Sequence, residues 1–394
     1  MKKRILTLSL VIAIILLSSL AGCQGGKPTA STTATTAKAE KQTLVVYNWG
    51  EYIANEEDTY TLYGKDYDIL DVIAEFETAY PQYDVKYLTY DDNEKMYPKL
   101  ATESFDVIVP SDYMVVRLIK EDMLTALDYA KMPNVTKYLD TKLASLQFDK
   151  DQAISDQVAD YAVPYMYCTV GLMYNQTELG PITSADPQEA WKILFDETLQ
   201  SQIGMYSSMR ESIGVALNYL GYSLNSMDPD ELAQAKQLLI EQRKNIKPLV
   251  GIDELKDKFV SGELLAGVAW SGDHVVCQQR LEESGQDPET LQYLLPKGSN
   301  LSVDMMCIPA NAKNPEGAMA FIDFMFKPEI ALMNAVYVGY SSPNTAAVAE
   351  LPPEITGNPS YYPDKSSMDS LEIYYSSDEI DTTYDKIWQA ILAN

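Results

Sequence analysis

Residues 161–175, YAVPYMYCTVGLMYN, decide how the chain is organised. The run is long for a strand and rich in β-branched and aromatic residues. Such a run can leave one packed unit and enter another, so it reads as a crossing between two α/β units. A second extended run, VDMMCIPAN at 303–311, reads as the return crossing. Two crossings between two units predict a hinge with a cleft beside it.

Upstream of the first crossing the pattern alternates. Residues 43–49 read as a strand. Ile69, Val72, Ile73, Phe76 and Tyr80 follow helical spacing, and 85–90 is a strand again. Residues 92–103 read as helical, and FDVIVPS at 105–111 as a third strand. β-α-β-α-β is the signature of a parallel sheet covered on both faces. Ligands bind such sheets outside the carboxyl ends of the strands. Trp49, Glu51 and Tyr52 fall at that edge of the first strand, and Ser111, Asp112 and Tyr113 at that edge of the third. The polar, tyrosine-rich segment NEEDTYTLYGKDY, 55–67, reads as a surface loop.

Downstream, Asp228-Pro229-Asp230-Glu231 starts a helix, with Asp as cap, Pro in the first turn and Glu three residues on. Leu232, Ala235, Leu238 and Leu239 supply its buried stripe. Asn314-Pro315-Glu316 caps another helix, with Met319, Phe321, Ile322 and Met325 facing inward.

The amino terminus carries Lys2, Lys3 and Arg4, then an apolar stretch over 5–17, then LAGC at 20–23. This reads as an export signal over 1–22, and LAGC resembles the lipobox of bacterial lipoproteins, which implies a lipid on Cys23. Residues 23–42 hold almost no bulky apolar side chain and read as a tether. No other segment approaches about 18 unbroken apolar residues. The formal charge is −27, and loss of the leader, with its three cations and no anions, makes it −30. So acidic a surface argues against nucleic acid and attracts cationic ligands. Cys168, Cys277 and Cys307 are widely spaced in apolar contexts, which suggests buried thiols rather than a disulfide framework.

Catalytic signatures are missing. The single histidine, His274, rules out metal sites that need two, and in WSGDH it reads as a partly exposed loop residue. No serine-hydrolase elbow, phosphate-binding loop or dinucleotide fingerprint is present. The chain does offer isolated acids beside aromatics at the ends of apolar runs. Trp270 and Asp273 follow LLAGVAW, Asp304 sits inside an apolar run, and Glu211 follows Arg210 ahead of an apolar helix. Aromatic faces and carboxylates are the groups that hold an alkyl-ammonium chain: rings cover methylenes and attract the cation, and carboxylates neutralise each ammonium.

The segments YNWGEY, FDVIVPSDY, AVPYMYCTVGLMYN, RESIGVALNYLGYSLN, GVAWSGD, VDMMCIPANAKNPEGA and VGYSSPNTAA occur in the order found in spermidine/putrescine-binding proteins, the receptors of polyamine ABC importers. The chain resembles that family over roughly residues 43–350. The resemblance implies an α/β periplasmic-binding-protein fold, with a first lobe from 43–171 and 303–345 and a second from 172–302 and 346–394. It implies that Trp49, Tyr52, Ser111 and Tyr113 line one side of the cleft, faced by Glu211, Trp270 and Asp273. Asp304 matches the family's terminal-ammonium acid, and Tyr340 a further aromatic contact. Gly50 stands where a hydroxyl is common, Ser208 where spermidine-preferring members carry an aspartate, and Ser302 where a tryptophan is common. Asp273 matches an aspartate of putrescine-preferring members. IYYSS at 373–377 is a possible cover for the cleft.

The function so implied is capture of putrescine or spermidine by a non-enzymatic, monomeric, lipid-anchored receptor without cofactor. It would sit at the outer face of the cytoplasmic membrane or in the periplasm and serve a permease and ATPase. The alternatives are a receptor of the same fold for an amino-acid derivative, sugar or metal chelate, with Arg210 as the candidate for an anionic group, and a surface hydrolase using two carboxylates.

Overall fold

Nine strands form one curled sheet, and its hydrogen-bond order explains the cleft. The computed structural model describes residues 40–144 and 146–394. The expected export signal, Cys23 and most of the expected tether lie outside the described residues. Strand β1 (Gln42–Trp49) runs parallel to its neighbours. Next come β2 (Asp58–Leu62) and β3 (Lys65–Ile69), then β4 (Tyr83–Tyr90) and β5 (Val107–Ile108), with β4 and β5 flanking β1. Leu44 and Val46 face a core shared with the helices Val72–Ala79 and Pro315–Met325, while Tyr47 faces the core under Asp112–Lys120. That period-two split is what burial on both faces requires.

Strand β6 (Ala162–Asn175) is buried at all 14 positions. Its first part, through Thr169, pairs antiparallel with β11 (Leu301–Cys307). Its second part, from Val170, pairs with β9 (Ala266–Trp270) and β10 (Leu291–Leu294). Beyond β9 lie β7 (Ile203–Tyr206) and β8 (Leu249–Gly251), both parallel. One ribbon therefore belongs to both halves of the sheet. The second half has its own core, which includes Trp191, Phe259 and Leu264. The helix caps form as read: Asp228 accepts from the N–H groups of Asp230 and Glu231, and Asn314 from Gly317.

Several expectations are corrected. The segment read as a loop over 55–67 is a β2–β3 hairpin whose turn residues Tyr63 and Gly64 have φ of 49° and 73°, the positive pair that a tight hairpin needs. Ile69 ends β3 instead of starting a helix, and Asp71 caps the helix that follows. The return crossing comes earlier than read, because β11 already pairs throughout with the first part of β6. Residues after 345, expected in the second unit, first pack Leu351, Ile355 and Tyr361 into the first core. Only later do Ile380, Tyr384 and Ile391 join the second. His274 is buried on the helix Ser271–Glu283, not in an exposed loop. No helix among the described residues is long and apolar enough to cross a membrane.

Candidate functional site

Where the two halves of the sheet face each other, a cavity of about 260 Å³ opens. Of the nine residues expected at the site, Trp49, Tyr52, Ser111, Tyr113, Glu211, Trp270, Asp304 and Tyr340 line it. The topology explains this convergence. Trp49 ends β1, Ser111 and Tyr113 follow β5 at the start of a helix, and Trp270 ends β9. These are carboxyl ends of parallel strands, where no further ladder covers the side chains.

Asp304 lies in β11 at a bulge that aims it inward. Its two oxygens accept from the Tyr52 hydroxyl at 2.7 Å and from Ser111 Oγ at 2.6 Å. The Ser111 hydroxyl accepts in turn from Asn93 at 3.0 Å, which fixes its direction. Glu211, in the first turn of the helix Met209–Tyr219, accepts from Trp270 Nε1 at 3.3 Å and from the Tyr374 hydroxyl at 3.0 Å. Neither carboxylate forms an ion pair among the described residues. Burial pushes Asp304 up to about 6, against the opposing pull of Ser111 and Tyr52. Burial pushes Glu211 up to about 7, opposed by Tyr374, Trp270 and Arg210. Two carboxyl groups below 9% exposure, hydrogen-bonded only by neutral donors and in no salt bridge among the described residues, are electrostatically incomplete.

Aromatic rings wall this end. Trp270 stacks on Tyr206 with centroids 4.2 Å apart. Tyr52 meets Tyr165 and Tyr340 edge to face at 5.5 and 5.2 Å. The Trp49 ring is held by its Nε1, which donates to the Val109 carbonyl at 2.9 Å. Tyr340 can lie where it does because Gly272 has no side chain: a Cβ there would sit 2.0 Å from the phenol ring.

Asp273 is the exception. It does not line the cavity but lies behind the wall, accepting from the Tyr206 and Tyr340 hydroxyls at 2.7 and 2.9 Å, with Lys256 Nζ at 3.8 Å. Lys256 also meets Glu51 at 2.9 Å and Asp253 at 3.1 Å, and Arg280 reaches Glu51 at 3.4 Å. Burial alone would lower the Lys256 pKa, but Asp273, Asp253 and Glu51 together raise it above the usual lysine value. Asp112, noted at the strand edge, is structural: it accepts from the Val303 and Tyr113 amides.

Sequence reading missed Lys256, Tyr374 and Asn93. Of these, only Tyr374 falls in a segment, 373–377, that the sequence marks as a cover for the cleft. Ser208 and Ser302, where the resemblance leads one to expect an acid and an indole, also line the cavity. The Arg210 guanidinium lies over the Tyr374 and Tyr384 rings, 4.6 Å from each centroid, and its Nε and Nη1 have no hydrogen-bond partner. His274 Nε2 donates to the Leu291 carbonyl at 3.0 Å, which leaves Nδ1 to accept from the Tyr361 hydroxyl at 2.5 Å. Burial lowers its pKa to about 4, so the ring is neutral, and His274 is not among the residues that line the cavity. Among the described residues no acid, cysteine and histidine cluster could hold a metal ion.

Residues 71–363 match the family of bacterial extracellular solute-binding proteins, and this chain belongs to that family, one of transport proteins rather than enzymes. It is 30% identical over 362 residues to the spermidine/putrescine-binding periplasmic protein of Salmonella typhimurium, which covers 90% of this chain and 93% of that one. It is 30% identical over 342 residues to the putrescine-binding periplasmic protein SpuD of Pseudomonas aeruginosa, covering 84% and 87%. Among solved structures it is similar to the spermidine/putrescine ABC transporter substrate-binding protein PotD from Streptococcus pneumoniae. That match has a TM-score of 0.67 and 34% identity, and covers 90% and 99% of the two chains. The fold is that of periplasmic binding proteins, as the resemblance implied.

Proposed function

We propose that this protein captures a small polyamine, putrescine or spermidine, outside the cytoplasm and delivers it to an ABC permease and its ATPase. The observation that carries this reading is the pair Glu211 and Asp304. Both are buried, both line the cavity and neither forms a salt bridge among the described residues, in a chamber walled by indole and phenol rings. An alkyl diammonium supplies what the two oxygen pairs lack and fills the space between rings with methylenes. The relatives named for polyamines support the same chemistry. In this reading the halves on either side of Thr169 are lobes that close over the ligand, and the closed form docks on the permease. A lipid on Cys23 would hold the monomer at the outer face of the membrane.

A second reading rests on Arg210, whose unpartnered Nε and Nη1 border the same cavity. They suit an amino-acid derivative that carries both a carboxylate and an amine. A thermal-shift and calorimetric panel of putrescine, spermidine, 4-aminobutyrate, citrate and glucose separates the two. Stabilisation by the polyamines alone is expected. Selective binding of 4-aminobutyrate would favour the second reading, and silence from both polyamines would overturn the first.

A further inference from the structure

Two groups of carboxylates in or behind the cavity wall are met in different ways, while Glu56, Asp91, Asp92 and Glu283 also line the cavity. Glu211 and Asp304 are met only by hydroxyl and indole donors. Glu51, Asp253 and Asp273 surround one ammonium, Lys256 Nζ, at 2.9, 3.1 and 3.8 Å. The Lys256 side chain is only 7% exposed, yet the residue borders the cavity. A lysine side chain is four methylenes ending in an ammonium, the same chemistry as one arm of a polyamine. Here that arm is covalently fixed by the helix Glu254–Val260. Gly50 lets the cluster draw together, since a Cβ there would stand 3.0 Å from Asp253 Oδ2.

Glu211 and Asp304 can each meet one ammonium of the ligand. A third ammonium extending toward Lys256 would approach a charge that already holds Glu51, Asp253 and Asp273, and like charges brought together out of water are strongly unfavourable. We propose that Lys256 fills a third cationic position with its own tethered ammonium, so that the cavity selects a diamine over a triamine. This rests on the polyamine reading and adds a specificity determinant to it.

The test is titration calorimetry of putrescine and spermidine against the mature protein and Lys256→Met, which keeps the apolar stem and removes the charge. The wild-type protein is expected to bind putrescine at least about tenfold tighter than spermidine, and Lys256→Met to shift that ratio at least about tenfold toward spermidine. Removing a buried cation leaves Asp273 without one, which can destabilise the fold. Lys256→Met combined with Asp273→Asn removes both charges of that pair, and the same shift is expected. Equal or tighter spermidine binding by the wild type, or an unmoved ratio in either folded variant, would overturn the proposal. Failure of the wild type to bind either amine would instead overturn the polyamine reading itself.

Discussion

The two ends of the cavity carry the same kind of oxygen and treat it in opposite ways. At one end Asp304 and Glu211 are buried with neutral donors, and burial lifts their pKa values to about 6 and 7. At the other, Asp253 and Glu51, with Asp273 behind the wall, share Lys256, and despite its partial burial Glu51 is held below the usual carboxylate range by Lys256 and Arg280. A carboxylate is a ligand group only while its charge is unanswered. One end is therefore poised to bind a cation, and the other is already satisfied from within.

The strongest challenge to this contrast is Asp304→Asn. A hydrogen bond to a charged group is worth roughly 1.5–3 kcal/mol, so polyamine affinity by calorimetry should fall about ten- to a hundredfold. A silent substitution would erase the distinction between the ends. Next in size is the response to pH. Both raised carboxyl groups favour the ligand-free fold below their unfolded values, a contribution lost as pH rises through about 6 and 7. A cationic ligand needs them ionised. Affinity should therefore weaken severalfold as pH drops from about 8 to 5.5, with protons released on binding near the raised values. Buffers of different ionisation heat will show that release, and a flat affinity profile would break the assignment. The smallest effect is expected from Asp273→Asn. Its neighbours Tyr206 and Tyr340 can still donate, and Lys256 keeps Glu51 and Asp253, so affinity should change less than about threefold, on the scale where tenfold is roughly 1.4 kcal/mol. A loss equal to that of Asp304→Asn would make the two ends alike.

Much of this was written locally. Strands β1 and β5 announce themselves because a sheet buried on both faces needs apolar runs, and the strand-end rule alone brings Trp49, Ser111 and Tyr113 to the cavity. The caps at Asp228 and Asn314 are equally local, since each depends on one side chain reaching two or three residues ahead. Lys256 was invisible for the opposite reason. DELKDKF has the pattern of any surface helix; Asp253 is a local partner, but Glu51 and Asp273, distant in sequence, are brought to that lysine only by the fold. The same holds for Asp273, whose type fits a ligand group but whose partners, Tyr206, Tyr340 and Lys256, are set by the fold. Tyr374 comes from a tail where the resemblance fades, and no local signal ties it to Glu211. His274 was misjudged because Ser-Gly-Asp before it suggests a turn, whereas those residues open a helix that presses it against Leu291 and Tyr361.

Strand β6 sets a limit on how the molecule can be divided. It gives β11 its partner on one stretch and β9 and β10 theirs on the next. Neither half owns a complete edge. A fragment cut near Thr169 would leave a bare, wholly apolar rim, the kind of surface that recruits other chains and aggregates. The two halves therefore have to fold as one piece.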